Sequence, residues 1–163
     1  MRGNDLIKMH EFNGWQCDSC SELIISIEGG WVEWLASESD HGEEVLKGLR
    51  LVHRGSIPPN RQKQGCRYDS VKEFRNGKTI VEGLPLERFV GSDGLMILFS
   101  FLAAGNLPRG EILELAKRVQ IPGYERARGL LRESTSSNGV KQSLGHGCYL
   151  QSEIREMIAL ASD

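Results

Sequence analysis

The chain has 163 residues and a formal net charge of −2 at pH 7, a length that fits one domain or two small domains sharing a core. Hydrophobic residues make up 39% of the sequence and charged residues 26%, which excludes an intrinsically disordered chain. A pI of about 6.1 excludes a generally basic surface, so any nucleic-acid contact must come from a local patch. Four cysteines are too few for a disulfide scaffold.

Targeting signals are not evident in the sequence. No apolar segment follows residues 1–5, so we expect no signal peptide. The longest nearly apolar run, Leu95 to Ala104, is far short of the ~18 residues that a membrane span needs, and it predicts a buried helix. We therefore expect a cytoplasmic protein, in which thiols stay reduced and a Cys-x-x-Cys pair more often binds metal or does redox chemistry.

In chain order, the first half has the pattern of short strands separated by turns. Gly29 and Gly30 predict a tight hairpin turn, because paired glycines tolerate the positive φ that such turns need. A third strand ends at His53, and its period of two places Leu49 and Leu51 on the same face as that histidine. The predicted strands are residues 23–27, 31–35, 49–53 and 79–81, and a short helix is predicted over 68–74.

After about residue 90, apolar residues recur at helical spacing. The first predicted helix is apolar nearly all round, so we expect it at the centre of the core. In the second, Arg118 lies on the outer face, four residues after Glu114, at the spacing of an ion pair. Residues 135–147 are rich in Ser, Gly and Asn and predict a loop. The predicted helices are residues 92–104, 108–119, 124–133 and 152–161.

Two cysteines, Cys17 and Cys20, stand two residues apart. A two-residue spacer in a tight turn lets both thiolates face one point, about 2.3 Å from a zinc ion. With the strand-like run that follows, the arrangement resembles the zinc knuckle that opens zinc ribbons and related small metal domains, over residues 15–67. The chain departs from a zinc ribbon because it has no second Cys-x-x-Cys motif. The other two ligands of such a zinc site must therefore come from separated positions.

His53 and Cys66 are the favoured second pair of ligands. His53 ends the third predicted strand, and the loop that follows can bring Cys66 back beside it. A set of three cysteines and one histidine closes a tetrahedral site, which makes the zinc structural because no position stays open for water. The rival pair is His146 and Cys148, which share one side of an extended segment and would clip the C-terminal part to the N-terminal strands.

Charge is divided into two adjacent blocks. Residues 22–44 hold seven acidic residues and no lysine or arginine, and residues 47–72 hold seven basic residues and one acid. The blocks either neutralise each other across neighbouring strands or supply a basic loop that contacts phosphate or an acidic partner. The candidate partner-binding residues of this basic loop are Arg54, Arg61, Lys63 and Arg67.

Trp31 and Trp34 point to opposite faces of their strand, so we expect one in the core and the other as a partly exposed contact residue.

The second and third predicted helices resemble a helix-turn-helix, and with their neighbours they give a winged-helix-like outline. Arg128 and Arg132 on the third helix are further candidate partner-binding residues. Glu125 and Glu133 share their outer face, which counts against a recognition helix in the major groove of DNA. A small helical bundle that buries amphipathic faces is the alternative.

The sequence thus predicts an α+β protein in which a β-rich, zinc-stapled module, residues 1–84, packs on a helical module, residues 85–163, with a winged-helix-like outline. It has no phosphate-binding loop, zinc-protease motif or serine-hydrolase motif, so we do not expect an enzyme. We expect a non-enzymatic, zinc-containing adaptor that binds a macromolecular partner, with a protein favoured over nucleic acid. The alternatives are a DNA-binding regulator that uses the helical half and residues 54–67, and a thiol-dependent enzyme. No sequence feature sets the oligomeric state.

Overall fold

The computed structural model describes residues 14–55, 65–133 and 142–161. Within them the architecture mixes α and β structure, with five α-helices and two small antiparallel sheets. The chain divides into two compact units, of which the first is Gly14–Gln120 and the second contains the residues from Ile121 onward. No helix in the described part of the chain is long and apolar enough to cross a membrane.

Both sheets belong to the first unit. The smaller sheet pairs β1 (Trp15–Gln16) with β2 (Leu23–Ile24). The larger has the order β4-β3-β5 and consists of β3 (Gly30–Glu38), β4 (Glu44–His53) and β5 (Ile80–Pro85). Because side chains alternate along a strand, Val32, Trp34 and Ala36 of the central strand β3 share one face, where each is at most 7% exposed. This face builds the apolar core of the unit.

The predicted hairpin between residues 23–27 and 31–35 is wrong. β2 pairs with β1, and a single 3-10 turn separates it from β3. The Ser26 hydroxyl caps this turn by accepting the Gly29 N–H at 3.3 Å. A side chain at Gly30 would overlap a neighbouring leucine, so that glycine permits a close approach. Gly29 therefore belongs to a capped turn, and Gly30 permits a tight contact. β3 pairs instead with β4 and β5, which come later in the chain.

Other predicted elements of this unit are confirmed. The predicted strand over residues 49–53 is the second half of β4, and the predicted strand over 79–81 begins β5. The predicted short helix is α1 (Ser70–Gly77), which starts where the Asp69 carboxylate accepts the first free backbone N–H groups.

The two longer helices of the unit are α2 (Gly91–Ala104) and α3 (Arg109–Gln120). Gly105 caps the C-terminus of α2, and its φ of +70° is a left-handed conformation that favours glycine. The prediction that α2 lies at the centre of the core is wrong, since Met96 is 63% exposed and Phe99 is 50% exposed. Its apolar sequence indicates a helix but does not determine how many neighbours surround it.

A buried arginine joins α3 to the N-terminal strands. The Arg118 guanidinium lies 2.9 and 2.8 Å from the two carboxylate oxygens of Asp18, and it donates to the Gln16 carbonyl at 2.6 Å. Only 6% of Arg118 is exposed, so the prediction that it lies on the outer face of the helix is wrong. Glu114 lies 2.7 Å from Lys117. Asp18 is 100 residues away from Arg118 in sequence, and helical periodicity cannot reveal such a contact.

In the second unit, the described residues form α4 (Tyr124–Glu133) and α5 (Gln151–Leu160), which confirms both predicted helices. Their apolar contacts centre on Ala127, Ile154 and Met157. The winged-helix-like outline is not confirmed, because α3 belongs to the first unit and α4 to the second.

Replacement of Arg118 by methionine is expected to destabilise the first unit, because the Asp18 carboxylate loses its cation. Removing one partner of a buried ion pair costs about 3–5 kcal/mol. Since the Asp18 side chain keeps 24% exposure, we expect the lower end of that range, about 3 kcal/mol. Urea denaturation followed by tryptophan fluorescence measures the free energy of unfolding.

The matched control is Arg109→Met, at the exposed first residue of α3. It should change the free energy of unfolding by less than about 0.5 kcal/mol. Equal losses in the two variants would contradict the structural role of Arg118.

Candidate metal centre

Four potential metal ligands meet in the first unit. One ligand atom from each of Cys17, Cys20, His53 and Cys66 lies within 4.8 Å of all the others. Cys17 and Cys66 are each only 1% exposed, and Cys20 is half-buried. All four cysteines of the chain are free thiols, so no disulfide competes for these sulfurs. The cluster is close enough to hold a metal ion.

The turn between β1 and β2 presents the first two sulfurs. The Cys17 N–H donates to the Glu22 carbonyl at 2.9 Å, and the Ser21 N–H donates to the Cys17 carbonyl at 2.9 Å. Ser21 has a φ of +65°, a left-handed conformation that is unusual for a residue with a side chain and reverses the chain directly after Cys20. These bonds close the turn so that both thiols face the same side.

His53 is oriented by its second ring nitrogen. Nε2 lies 3.3 Å from the Leu23 carbonyl oxygen, and because that oxygen can only accept, Nε2 carries the proton. Nδ1 is then left with its lone pair, and it lies 3.5 Å from the Cys20 sulfur and 3.6 Å from the Cys66 sulfur. An imidazole that donates one N–H to a carbonyl and points the other nitrogen at the site is typical of metal-binding histidines.

The thiols differ in acidity. Burial raises the pKa of Cys17, but the backbone N–H groups of Cys20, Ser19 and His53 outweigh it and lower the pKa from 9.0 to about 7. Burial raises the pKa of Cys66 to about 12, and the neighbouring Cys20 and Cys17 sulfurs add to the rise. Cys66 therefore keeps its proton at neutral pH until a cation takes the proton's place.

The residue inside the cysteine turn fixes its position on the sheet. Asp18 accepts the Leu51 N–H at 2.7 Å through its carboxylate, and its own N–H donates to the Leu51 carbonyl at 2.8 Å. The same carboxylate holds Arg118 of α3. The turn is thus tied to β4 and α3 at once, which sets its distance from His53 two residues further along β4.

The rival ligand pair is not part of the cluster. His146 and Cys148 lie in the second unit, where the Cys148 sulfur is 3.9 Å from the His146 carbonyl oxygen and Cys148 is exposed.

The candidate partner-binding residues belong to both units. Arg54 and Arg67 are each 45% exposed in the first unit, and Arg128 lies 3.6 Å from Glu125 on α4. Two of the candidates, Arg61 and Lys63, fall outside the described residues, as does the side chain of Arg132.

Beside the cluster lies a buried carboxylate that the sequence analysis did not single out. Glu33 is fully buried on β3, directly opposite Arg50 of β4. Its Oε1 accepts two bonds from Arg50, at 2.9 and 2.8 Å, and the Tyr68 N–H at 2.9 Å. For this pair, the prediction that the acidic and basic blocks neutralise each other across strands is confirmed. The only sequence signal was the position of each residue in its charge block.

Comparison with known proteins found no matching family model, no matching curated protein and no matching solved structure.

The affinity of the cluster for a metal ion is expected to rise with pH. Cys66 has a raised pKa of about 12, so binding must displace its proton, and a lower proton concentration favours the metal-bound form. Competition with a chromophoric chelator, from mildly acidic to mildly alkaline pH, measures this dependence. Cys148→Ser should reproduce the wild-type curve, and an affinity that stays constant with pH would contradict thiolate ligation.

Proposed function

We propose that this protein is a non-enzymatic binding protein, stabilised by a structural zinc ion, whose partner is another protein. The single observation that carries the proposal is the convergence of Cys17, Cys20, His53 and Cys66 within 4.8 Å. These residues come from three separate segments of the chain, which makes their convergence the strongest argument for a metal site.

The spacing of the donor atoms supports zinc. With Zn–S of about 2.3 Å and Zn–N of about 2.05 Å at a tetrahedral angle, the sulfur and nitrogen atoms lie about 3.6 Å apart. The two sulfur–nitrogen distances at His53 are 3.5 and 3.6 Å. Three thiolates and one imidazole are a common zinc ligand set, and soft thiolates disfavour magnesium and calcium.

The completeness of the set supports a structural role. Four protein ligands fill a tetrahedral site, so no position remains for a substrate or a catalytic water. Cys17 has the lowered pKa that a reactive thiol needs, yet at 1% exposure its sulfur is not accessible to a substrate. Bound zinc would join the β1–β2 turn, the end of β4 and the segment that precedes α1.

Metal analysis tests the proposal directly. Protein purified without added metal should contain one zinc per chain, measured by inductively coupled plasma mass spectrometry. His53→Ala and Cys66→Ser should lose most of it, because a site with three ligands binds zinc less tightly. His53→Cys should retain it, since four thiolates also form a zinc site.

The matched control is Cys148→Ser, which removes the one thiol that is outside the cluster. Wild-type zinc content in His53→Ala and Cys66→Ser together would contradict the assigned ligands. Another metal at full occupancy would contradict zinc while leaving the site intact.

Removing the metal distinguishes a structural from a catalytic role. Structural zinc contributes about 10–16 kcal/mol of apparent binding free energy in zinc-finger peptides, against about 5–15 kcal/mol of net stability for a typical domain. A strong chelator, or Cys17→Ser, is therefore expected to unfold Gly14–Gln120, and zinc should refold the chelated protein. Fluorescence of the buried Trp15 and Trp34, each 7% exposed, reports the transition. A native spectrum after complete zinc removal would contradict the structural role.

A further inference from the structure

We infer that Trp31, Arg54 and Arg67, here named the arginine–tryptophan surface, bind an acidic segment of a partner protein through its carboxylates. The inference rests on the proposed function, because it specifies the chemistry of the protein partner and the place where the partner binds.

The surface is built around one aromatic ring. The guanidinium carbon of Arg67 lies 4.5 Å from the centre of the Trp31 ring, and that of Arg54 lies 5.7 Å from it. Both arginine side chains are 45% exposed. Stacking on an indole restricts the motion of a guanidinium while its N–H groups stay accessible at the edge. Two cations are thus held against the same ring, which lowers the entropy lost on binding an anion.

The two guanidinium groups keep their donors available. In the part of the chain that the structure describes, neither makes a hydrogen bond. The nearest carboxylates are Glu87, 3.9 Å from Arg54, and Glu33, 3.6 Å from Arg67, and both distances exceed those of a hydrogen bond. Arg50 engages the other carboxylate oxygen of Glu33, Oε1, at 2.8 Å, while Oε2, which faces the Arg67 Nε, makes no hydrogen bond among the described residues. Each guanidinium has five N–H donors in a fork that matches a carboxylate, so the surface can bind a carboxylate without breaking a hydrogen bond.

Trp31 is held in place by a glycine on the adjacent strand. A Cβ at Gly83 of β5 would come within 2.4 Å of the indole nitrogen. Only a residue without a side chain lets the ring lie across β5, where it forms a rigid platform for the arginines. The ring that organises the surface therefore rests on the sheet.

The metal centre positions both arginines. Arg54 directly follows His53, and Arg67 directly follows Cys66. Ligation of these two residues would fix the backbone from which each arginine extends, so a structural metal also fixes the separation of the two cations.

Charge and shape favour an acidic peptide over nucleic acid. Nucleic-acid bases need a free aromatic face for stacking, but two guanidinium groups already lie over the Trp31 ring. The charges of this unit nearly cancel in sequence, since residues 22–44 carry seven acids and residues 47–72 carry seven bases and one acid, so a long polyanion meets no extended basic surface. A short carboxylate-bearing segment needs only the two arginines. Recognition of acidic segments by arginine clusters is a recurrent mode of peptide binding.

The test uses the zinc-loaded full chain and a fluorescein-labelled oligoglutamate peptide at low ionic strength, followed by fluorescence anisotropy. We expect binding that weakens with added salt, and no binding of an oligoglutamine peptide of the same length. Arg54→Gln and Arg67→Gln should each weaken it by about tenfold or more, because a hydrogen bond to a charged group contributes about 1.5–3 kcal/mol. Quenching of tryptophan fluorescence that is lost in Trp31→Phe locates the peptide at the ring.

The matched controls are Lys72→Gln and Arg75→Gln, which remove the same charge from exposed positions of α1 that make no contact with the Trp31 ring among the cation–ring contacts of the described residues. They should bind the peptide within about twofold of wild type if the site is specific. Equal weakening in all four variants would indicate attraction by overall charge and would overturn the inference. Tighter binding of a single-stranded oligonucleotide than of oligoglutamate would overturn it in favour of nucleic acid.

Zinc content, measured on the same samples, separates this inference from the proposed function. Full zinc occupancy with no peptide binding overturns the arginine–tryptophan surface and leaves the metal centre in place. Arginine-dependent peptide binding by a folded protein that contains no metal supports the surface and overturns the zinc proposal. Circular dichroism confirms that each variant is folded before its affinity is compared.

Discussion

Three separate segments of this chain place an imidazole and three thiols around one point. Two of the cysteines, Cys17 and Cys66, are almost fully buried. Thiols packed this closely cannot all ionise alone, because burial and the neighbouring sulfurs raise the pKa of Cys66 to about 12. A divalent cation reverses this penalty, since it is attracted to each thiolate and displaces the remaining protons. The same packing that is unfavourable for bare thiolates would thus be favourable around a metal ion, which under the proposed function would fix the position of three segments of the first unit.

The cysteine turn is also the point at which strands and helices are joined. Asp18, between the two cysteines, exchanges backbone and side-chain hydrogen bonds with Leu51 of β4 and holds the guanidinium of Arg118 from α3. The turn that presents two of the candidate metal ligands therefore also pairs with the edge strand of the sheet. A burial cost for the arginine is offset by two carboxylate contacts and a carbonyl acceptor. Polar contacts through Asp18 thus connect the candidate metal centre, the sheet edge and α3.

The arginines of the first unit have two different roles. Arg50 of β4 forms an ion pair with the buried Glu33 on the neighbouring strand β3 and neutralises it. Arg54 and Arg67 follow candidate metal ligands, lie over the Trp31 ring and are each 45% exposed. This division explains how a chain with a net charge of −2 can still present a local cationic surface, and it is the basis on which we propose an acidic protein segment as the partner.

By itself, the sequence determined the mixed α and β character, the approximate positions of β4, β5 and the later helices, and the metal-ligand candidates, because periodicity and a Cys-x-x-Cys spacing are local properties. Even the choice of His53 and Cys66 followed from strand alternation and a returning loop. Only the tertiary structure decided that β2 pairs with β1 and that Arg118 is buried against a carboxylate 100 residues away. Strand pairing and buried ion pairs depend on which distant segments meet, and no local pattern encodes that. A carboxylate hidden among arginines looks the same in sequence as one in solvent, which is why Glu33 could be assigned only once its neighbours were known.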